Sequence, residues 1–219
     1  IVDRFESLED PGEPLSKEVA ELTGISDQML KGQFIEETGI AKVMEGVSLV
    51  VCHNAVFDRS FLESRFPVFA DHNFACSLDE IPWAEWGIPS AKLDYLGFKF
   101  GMFHIGHRAR ADVDMLLSLL VQETPDKSKN VLSVLLESAR QPSWMIYAVD
   151  LPYDSKDHAK IRGYRWNDGK LRNPKSWYIH TRDLVSEEEF LTNYGCKQPL
   201  IMKLTAKSRY RSVVSKMLD

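Results

Sequence analysis

The chain has 219 residues, 44% hydrophobic and 27% charged, with a formal net charge of −5 and a pI near 5.7. That is a globular composition with ample material for a core, in one domain or one and a half. The acidic balance argues against nucleic-acid binding through general basicity and leaves such a partner only a local site or a basic patch.

Cys52, Cys76 and Cys196 are scattered and lack the close spacing of a zinc site, so they read as reduced, buried thiols of a cytoplasmic protein. No apolar run approaches the roughly 20 residues that span a bilayer, and no charged-then-apolar leader precedes Ile1, so no membrane partner is expected.

In chain order, Ile1 to Leu8 reads as the end of a strand, closed by Asp10-Pro11-Gly12 and Pro14. A short helix over Lys17 to Leu22 is broken at Thr23-Gly24-Ile25, and Ser26 caps another turn through Leu30. A helix over Glu36 to Glu45 precedes the apolar run Val47 to Cys52, a buried strand. Helix returns over Ala55 to Phe66, with Phe57, Phe61 and Leu62 on one face, and Phe74 to Leu78 is a further strand. Ala109 to Gln122 is an amphipathic helix with Val113, Leu116, Leu117 and Leu120 at core spacing. Strands alternating with helices imply an α/β layer architecture.

Two stretches carry the chemistry: His53-Asn54-Ala55-Val56-Phe57-Asp58 and His107-Arg108-Ala109-Arg110-Ala111-Asp112. Both aspartates fall in the first turn of a helix, and Asp58 lies just past a strand, where open α/β sheets place their ligands. Carboxylates that converge from separate elements repel one another, and a divalent cation relieves the repulsion. Either aspartate alone also fits an ordinary first-turn acid, stabilised by the helix dipole by about 0.3–1 kcal/mol. His107 alone fits a surface or capping role; with Arg108 and Asp112 beside it, it becomes a candidate general base.

The order of Glu21-Leu22-Thr23-Gly24-Ile25, His53-Asn54-Ala55-Val56-Phe57-Asp58, and His107 with Asp112 behind it resembles the DEDDh branch of 3′-to-5′ exonucleases, which includes proofreading subunits of bacterial DNA polymerase III. The resemblance runs from Ile1 to about Gln122 and includes Ala75-Cys76-Ser77-Leu78 through Lys92-Leu93; the whole chain resembles a bacterial subgroup with an extra C-terminal module. It implies a ribonuclease H-like fold, a mixed sheet flanked by helices, and two-metal hydrolysis of a phosphodiester from DNA or RNA 3′ ends to nucleoside 5′-monophosphates. Asp112 would be a direct metal ligand, Asp58 a ligand acting largely through water, and His107 the base on the attacking water. Leu22, Thr23, Gly24, Ile25, Asn54 and Phe57 would sit against the terminal nucleotide. The implied cofactor is magnesium or manganese, and a DNA polymerase is an implied partner.

The family's first motif, Asp-x-Glu on its central strand, has no counterpart here. Asp3-Arg4-Phe5-Glu6 has the wrong spacing and matches the third strand of the family. The chain opens in mid-pattern at Ile1 and reads as an N-terminally truncated exonuclease of impaired activity. Without the first motif few protein ligands remain, and loss of the first strands should expose apolar edges.

Three segments are expected: an exonuclease domain over 1–123 lacking its first strands, a link and helix over 124–143, and a small α+β module over 144–219. In the last, Trp144 to Val149 reads as strand, Ser155 to Arg162 as helix and Asn167-Asp168-Gly169-Lys170 as a hairpin turn. Between Lys156 and Arg182 lie Lys156, Lys160, Arg162, Arg165, Lys170, Arg172, Lys175 and Arg182 against Asp157 and Asp168, a local charge of +6 interleaved with Tyr164, Trp166, Trp177 and Tyr178. Arg162, Arg165, Trp166 and Lys175 form a candidate nucleic-acid patch; an aromatic core under a solvated basic face fits the same pattern. The segment from Leu204 to Arg211 reads as a tether. Two functions remain open on sequence alone: a metal-dependent exonuclease, or a non-catalytic nucleic-acid-binding or polymerase-associated protein that keeps the fold.

Overall fold

In the computed structural model, which describes residues 1–103, 108–169 and 174–211, the first sheet separates two apolar clusters. Its strands, β1 (Leu49–Cys52) and β2 (Asn73–Cys76), pair in parallel with Cys52 opposite Cys76. Side chains alternate across a strand. Val50, Cys52, Phe74 and Cys76 therefore face one cluster, and Leu49, Val51 and Ala75 the other. Such strands need cover on both faces, which is why β1 is continuously apolar and β2 is apolar past Asn73.

Helices provide that cover. On one side lie α3 (Glu37–Met44), with Ile40 buried, and α4 (Ala55–Arg65), the crossover between the two strands. On the other lie α5 (Leu93–Lys99), α6 (Ala109–Leu120) and α7 (Val131–Arg140), which bring Leu96, Leu116, Leu119, Leu120, Val131, Leu135 and Ala139 together around Trp83. Each fully buried leucine or phenylalanine contributes about 1.5–3 kcal/mol. Two short helices come earlier, α1 (Lys17–Thr23) and α2 (Asp27–Leu30), capped by the Ser16 and Ser26 side chains, which accept from the Val19 and Met29 amides.

Several expectations need correction. Ile1 to Leu8 forms no strand; it lies across α3 and α6, with Arg4 paired to Asp114 at 2.6 Å, Arg110 to Glu6 at 3.1 Å, and the Phe5 ring against Gly39. A strand exists through its ladder, and this segment pairs with no other strand among the described residues. On α6 the buried face is Met115, Leu116, Leu119 and Leu120, whereas Val113 and Leu117 are exposed. On α4 Leu62 packs on the core, but Phe57 and Phe61 project outward and pair with each other at 4.8 Å.

The second sheet is antiparallel, in the order β4 (Arg165–Asn167), β5 (Ser176–Thr181), β3 (Ser143–Ala148), β6 (Leu200–Leu204). Two helices, α8 (Lys156–Arg162) and α9 (Leu184–Asn193), build its core from Ile146, Ala148, Ala159, Tyr164, Leu191 and Cys196. Asn167 is paired with Ser176, whereas the tight turn is expected at Asn167 to Lys170; Lys170 lies outside the described residues. No described helix is long and apolar enough to cross a membrane.

Past β6 the chain returns to the first sheet, where the Phe74 amide donates to the Ala206 carbonyl at 2.8 Å. The fully buried Arg59 donates to the carbonyls of Lys207 at 2.9 Å and Arg209 at 2.6 Å, and to Glu63 at 2.8 Å. Nearby, the buried Glu80 accepts from Arg209 at 2.8 Å, Arg182 at 3.2 Å and the Tyr210 hydroxyl at 2.9 Å.

Candidate active site

The carboxyl ends of β1 and β2 are tied together by His53. Its Nδ1 is 2.8 Å from the Ser77 hydroxyl, and its Nε2 donates to the Ala91 carbonyl at 2.7 Å. The Ser77 amide in turn donates to the Cys52 carbonyl at 2.9 Å. This histidine therefore builds the floor of the site. Burial holds its pKa below the ordinary 6.5, against the Ala91 hydrogen bond and the fields of Asp79 and Asp112, which push it up.

Asn54 follows in a strained conformation, φ 134° and ψ 60°, a region that residues other than glycine seldom occupy. The strain turns the chain abruptly from strand to helix, and the Asn54 carbonyl accepts from the Phe57 and Asp58 amides. Asp58 thereby enters the first turn of α4, half-buried. Burial raises its carboxyl above the usual range, an effect opposed by a hydrogen bond from the Cys52 thiol. Cys52 is itself pushed up to about 12, first by burial and then by the Asp58 charge, and stays a thiol.

Asp112 occupies the first turn of α6, and its charge is among those that push the His53 pKa up. Arg108, at the N-cap of α6, donates to the Gly24 carbonyl at 3.3 Å. Gly24 closes α1 at φ 63°, where a side chain would be strained. That hydrogen bond draws the Leu22-Thr23-Gly24-Ile25 segment to the start of α6. Its role was not legible in the sequence beyond its place in the second motif. His107 lies outside the described residues.

The residues expected against a nucleotide share one property: Leu22, Gly24, Asn54 and Phe57 are exposed, and Thr23 and Ile25 half-exposed. Leu22 and Phe57 expose 57% and 58% of their surface, and a core would not leave them so. Among the described residues no three or more His, Cys, Asp or Glu side chains gather closely enough to hold a metal ion. Asp58 and Asp112 match the oxygen-donor chemistry of magnesium or manganese, but as a pair they are short of the six or so ligands such an ion takes.

Of the C-terminal patch, Arg162 is bound to Glu187 at 3.2 Å and to Ser186, and its guanidinium lies over Phe190. Arg165 pairs with Tyr178 and Trp166 with Trp177 along the ladder, so Arg165 and Trp166 project to opposite faces. Trp166 and Lys175 line one pocket; Lys170 and Arg172 lie outside the described residues.

Helices on both faces of a parallel strand pair form a mixed α/β unit of the ribonuclease H-like exonuclease kind. Residues 1–120 match the family model described as Exonuclease, of the RNase T type, and the chain belongs to that family. It is 47% identical over 68 residues to a PolC-type DNA polymerase III of Halalkalibacterium halodurans, which covers 30% of this chain and 5% of the relative. Longer stretches are 31% identical over 120 residues to the PolC-type enzyme of Pediococcus pentosaceus and 30% over 151 to that of Caldanaerobacter subterraneus, covering 52% and 63% of this chain and 8% and 11% of those relatives. The chain thus spans only a small fraction of the curated relatives it matches. No solved structure matches.

The histidines give a pH prediction. His180 too is held below 6.5, first by burial and then by Arg209 and Arg182, and its Nε2 lies 2.8 Å from the Ser143 hydroxyl. A histidine with a depressed folded pKa binds its proton more readily when unfolded, so the stability of its neutral form is complete above the unfolded value and declines as pH falls below it. Melting temperature should therefore decrease on acidification from pH 6.5, the unperturbed value of both, and His53→Gln should flatten the decline. A profile with the same slope in wild type and variant contradicts this.

Proposed function

We propose that residues 1–120 act as a 3′-to-5′ exonuclease domain that releases nucleoside 5′-monophosphates from nucleic-acid ends. The observation that carries the reading is the half-buried Asp58, set just past the end of β1 by the sharp turn at Asn54. Asp58 enters the first turn of α4, Asp112 acts on His53, and Arg108 holds Gly24 against α6. Exonuclease family membership supports the same assignment.

In this reading Asp58 and Asp112 hold divalent magnesium or manganese, together with the carboxylates of an Asp-x-Glu strand that this sequence does not include. When bound, the cations would supply charge stabilisation of a phosphodiester undergoing hydrolysis. His107 is assigned the proton of the attacking water. Asn54 and the Leu22 to Ile25 segment pack against the sugar and base of the 3′ nucleotide, with Phe57 as the apolar wall beside Asp58. DNA is the assigned polymer and a polymerase the assigned partner, because the relatives are DNA polymerases by name.

An apolar cavity of about 530 Å³ lies between the N-terminal segment and α3, α4 and α6, lined by Phe5, Ile40, Leu62, Phe66, Val113 and Leu117.

The test is hydrolysis of a 5′-labelled single strand by the product of the longest reading frame containing this sequence, with magnesium or manganese. A ladder shortening from the 3′ end is expected. Asp112→Asn should reduce the rate by at least about 100-fold, because loss even of a group that only orients a metal ligand costs about 10–100-fold. Equal rates for Asp112→Asn and wild type would remove Asp112 from the site.

A further inference from the structure

We propose that the C-terminal sheet carries a second nucleic-acid site, a pocket that takes one unstacked base of a single strand between Trp166 and Tyr153 and sets Lys156 and Lys175 against its flanking phosphates. The pocket has a volume of about 300 Å³ and opens beside β4 and β5 at the start of α8. That is the small end of the roughly 300–1,000 Å³ range of ligand pockets, a size for one nucleoside rather than a duplex.

Its construction follows from register. Trp166, Trp177 and Ala148 form one cross-strand row, so all three face α8. Trp177 and Ala148 join the apolar core. Trp166, at the edge of the sheet, stands edge-on to Trp177 with centroids 5.6 Å apart and leaves 51% of its surface exposed. Tyr153, just before α8, is 77% exposed. Tyr164 is almost wholly buried against Phe190. The aromatics thus divide, some building the core and two left open at one pocket.

Two lysines, Lys156 and Lys175, line the pocket. Lys156 Nζ stands 3.7 Å from the centre of the Tyr153 ring. Lys175 is exposed at the mouth, its backbone and Cβ packed on Gly169, whose φ of +81° forms part of the turn. Asn167 braces that turn by donating to the Pro174 carbonyl at 2.9 Å. The pocket lining contains no aspartate or glutamate; Asp154 and Asp157 act on Lys156 from outside it. Open aromatic faces with adjacent lysines are the chemistry of single-strand binding, since every base has a face to stack and every link a charge to neutralise. Membership of an exonuclease family makes nucleic acid the polymer within reach.

The test is fluorescence anisotropy of a labelled oligothymidylate with the full chain in EDTA, where binding is read without hydrolysis and independently of the catalytic assignment. Trp166→Ala and Tyr153→Ala should each weaken binding by about 5- to 150-fold, the range of one base–aromatic stack. Lys156→Ala with Lys175→Ala should reduce the slope of log affinity against log salt by about 1.4, the share of two phosphates on a single strand. Trp166→Phe, which keeps a ring, should retain most of the affinity, and Arg165→Ala, on the opposite face, should change it little. Undiminished binding by Trp166→Ala and Tyr153→Ala overturns the proposal. So does duplex DNA competing as well as the single strand, or capture of a proline-rich peptide in place of the oligonucleotide.

Discussion

Arg59→Ala is expected to lower folding stability by about 3–5 kcal/mol, the cost of removing one member of a buried ionic cluster. Arg59 is 0% exposed, lies with its guanidinium 4.3 Å from the centre of the Phe74 ring, and satisfies the carbonyls of Lys207 and Arg209 together with Glu63. Alanine would strand those acceptors and leave a cavity beside β2. For a chain of this size the melting point should drop by roughly 6–20 °C. Because Arg59 follows Asp58 on the same helical turn, the returning chain segment 205–211 braces the helix that presents the Asp58 carboxylate. A loss below 1 kcal/mol in urea unfolding, on the scale of about 0–1 kcal/mol for a surface ion pair, would show that the returning segment is not held this way.

Glu80→Ala should be comparably damaging for the opposite reason. The side chains of Glu80 and Arg209 are each 1% exposed, and Arg182 and Tyr210 converge on the same carboxylate. Removal would leave the Arg209 charge buried without its counter-ion, again about 3–5 kcal/mol. Replacing both members by apolar residues is a different matter, since a buried pair is often matched by hydrophobic packing. Glu80→Leu combined with Arg209→Met should therefore recover much of the stability lost in Glu80→Ala, measured as a double-mutant cycle. A strictly additive cycle would mean that the two charges are not coupled.

Neither cluster was legible in the sequence. The partners of Arg59 and Glu80 lie up to 150 and 130 positions away along the chain. Nothing in the local pattern marks Arg59 as other than a solvated helix residue, and the tether expected from Leu204 to Arg211 gave no sign of what it would grip. Local signals were more informative. The apolar runs at Val47 to Cys52 and Phe74 to Leu78 overlap the parallel pair, Leu49–Cys52 and Asn73–Cys76, because strands packed on both faces are built mostly of apolar residues. Helix α6 misled for a physical reason: Val113, Met115, Leu116, Leu117, Leu119 and Leu120 lie on more than one face, so spacing finds a helix but does not orient it. The first-turn positions of Asp58 and Asp112 could be read because a helix start is written in consecutive residues. The Arg108 to Gly24 hydrogen bond joins segments 84 positions apart and required the structure.

The most direct measurement is end-labelled hydrolysis by the longest reading frame containing this chain, compared with its Asp58→Asn and Asp112→Asn variants under magnesium and under manganese. The account predicts stepwise loss of 5′-monophosphates from the 3′ end in wild type, suppressed by at least about 100-fold in each variant, with all three proteins unfolding at similar temperatures. Hydrolysis that survives both substitutions, or that proceeds from the 5′ end, contradicts it.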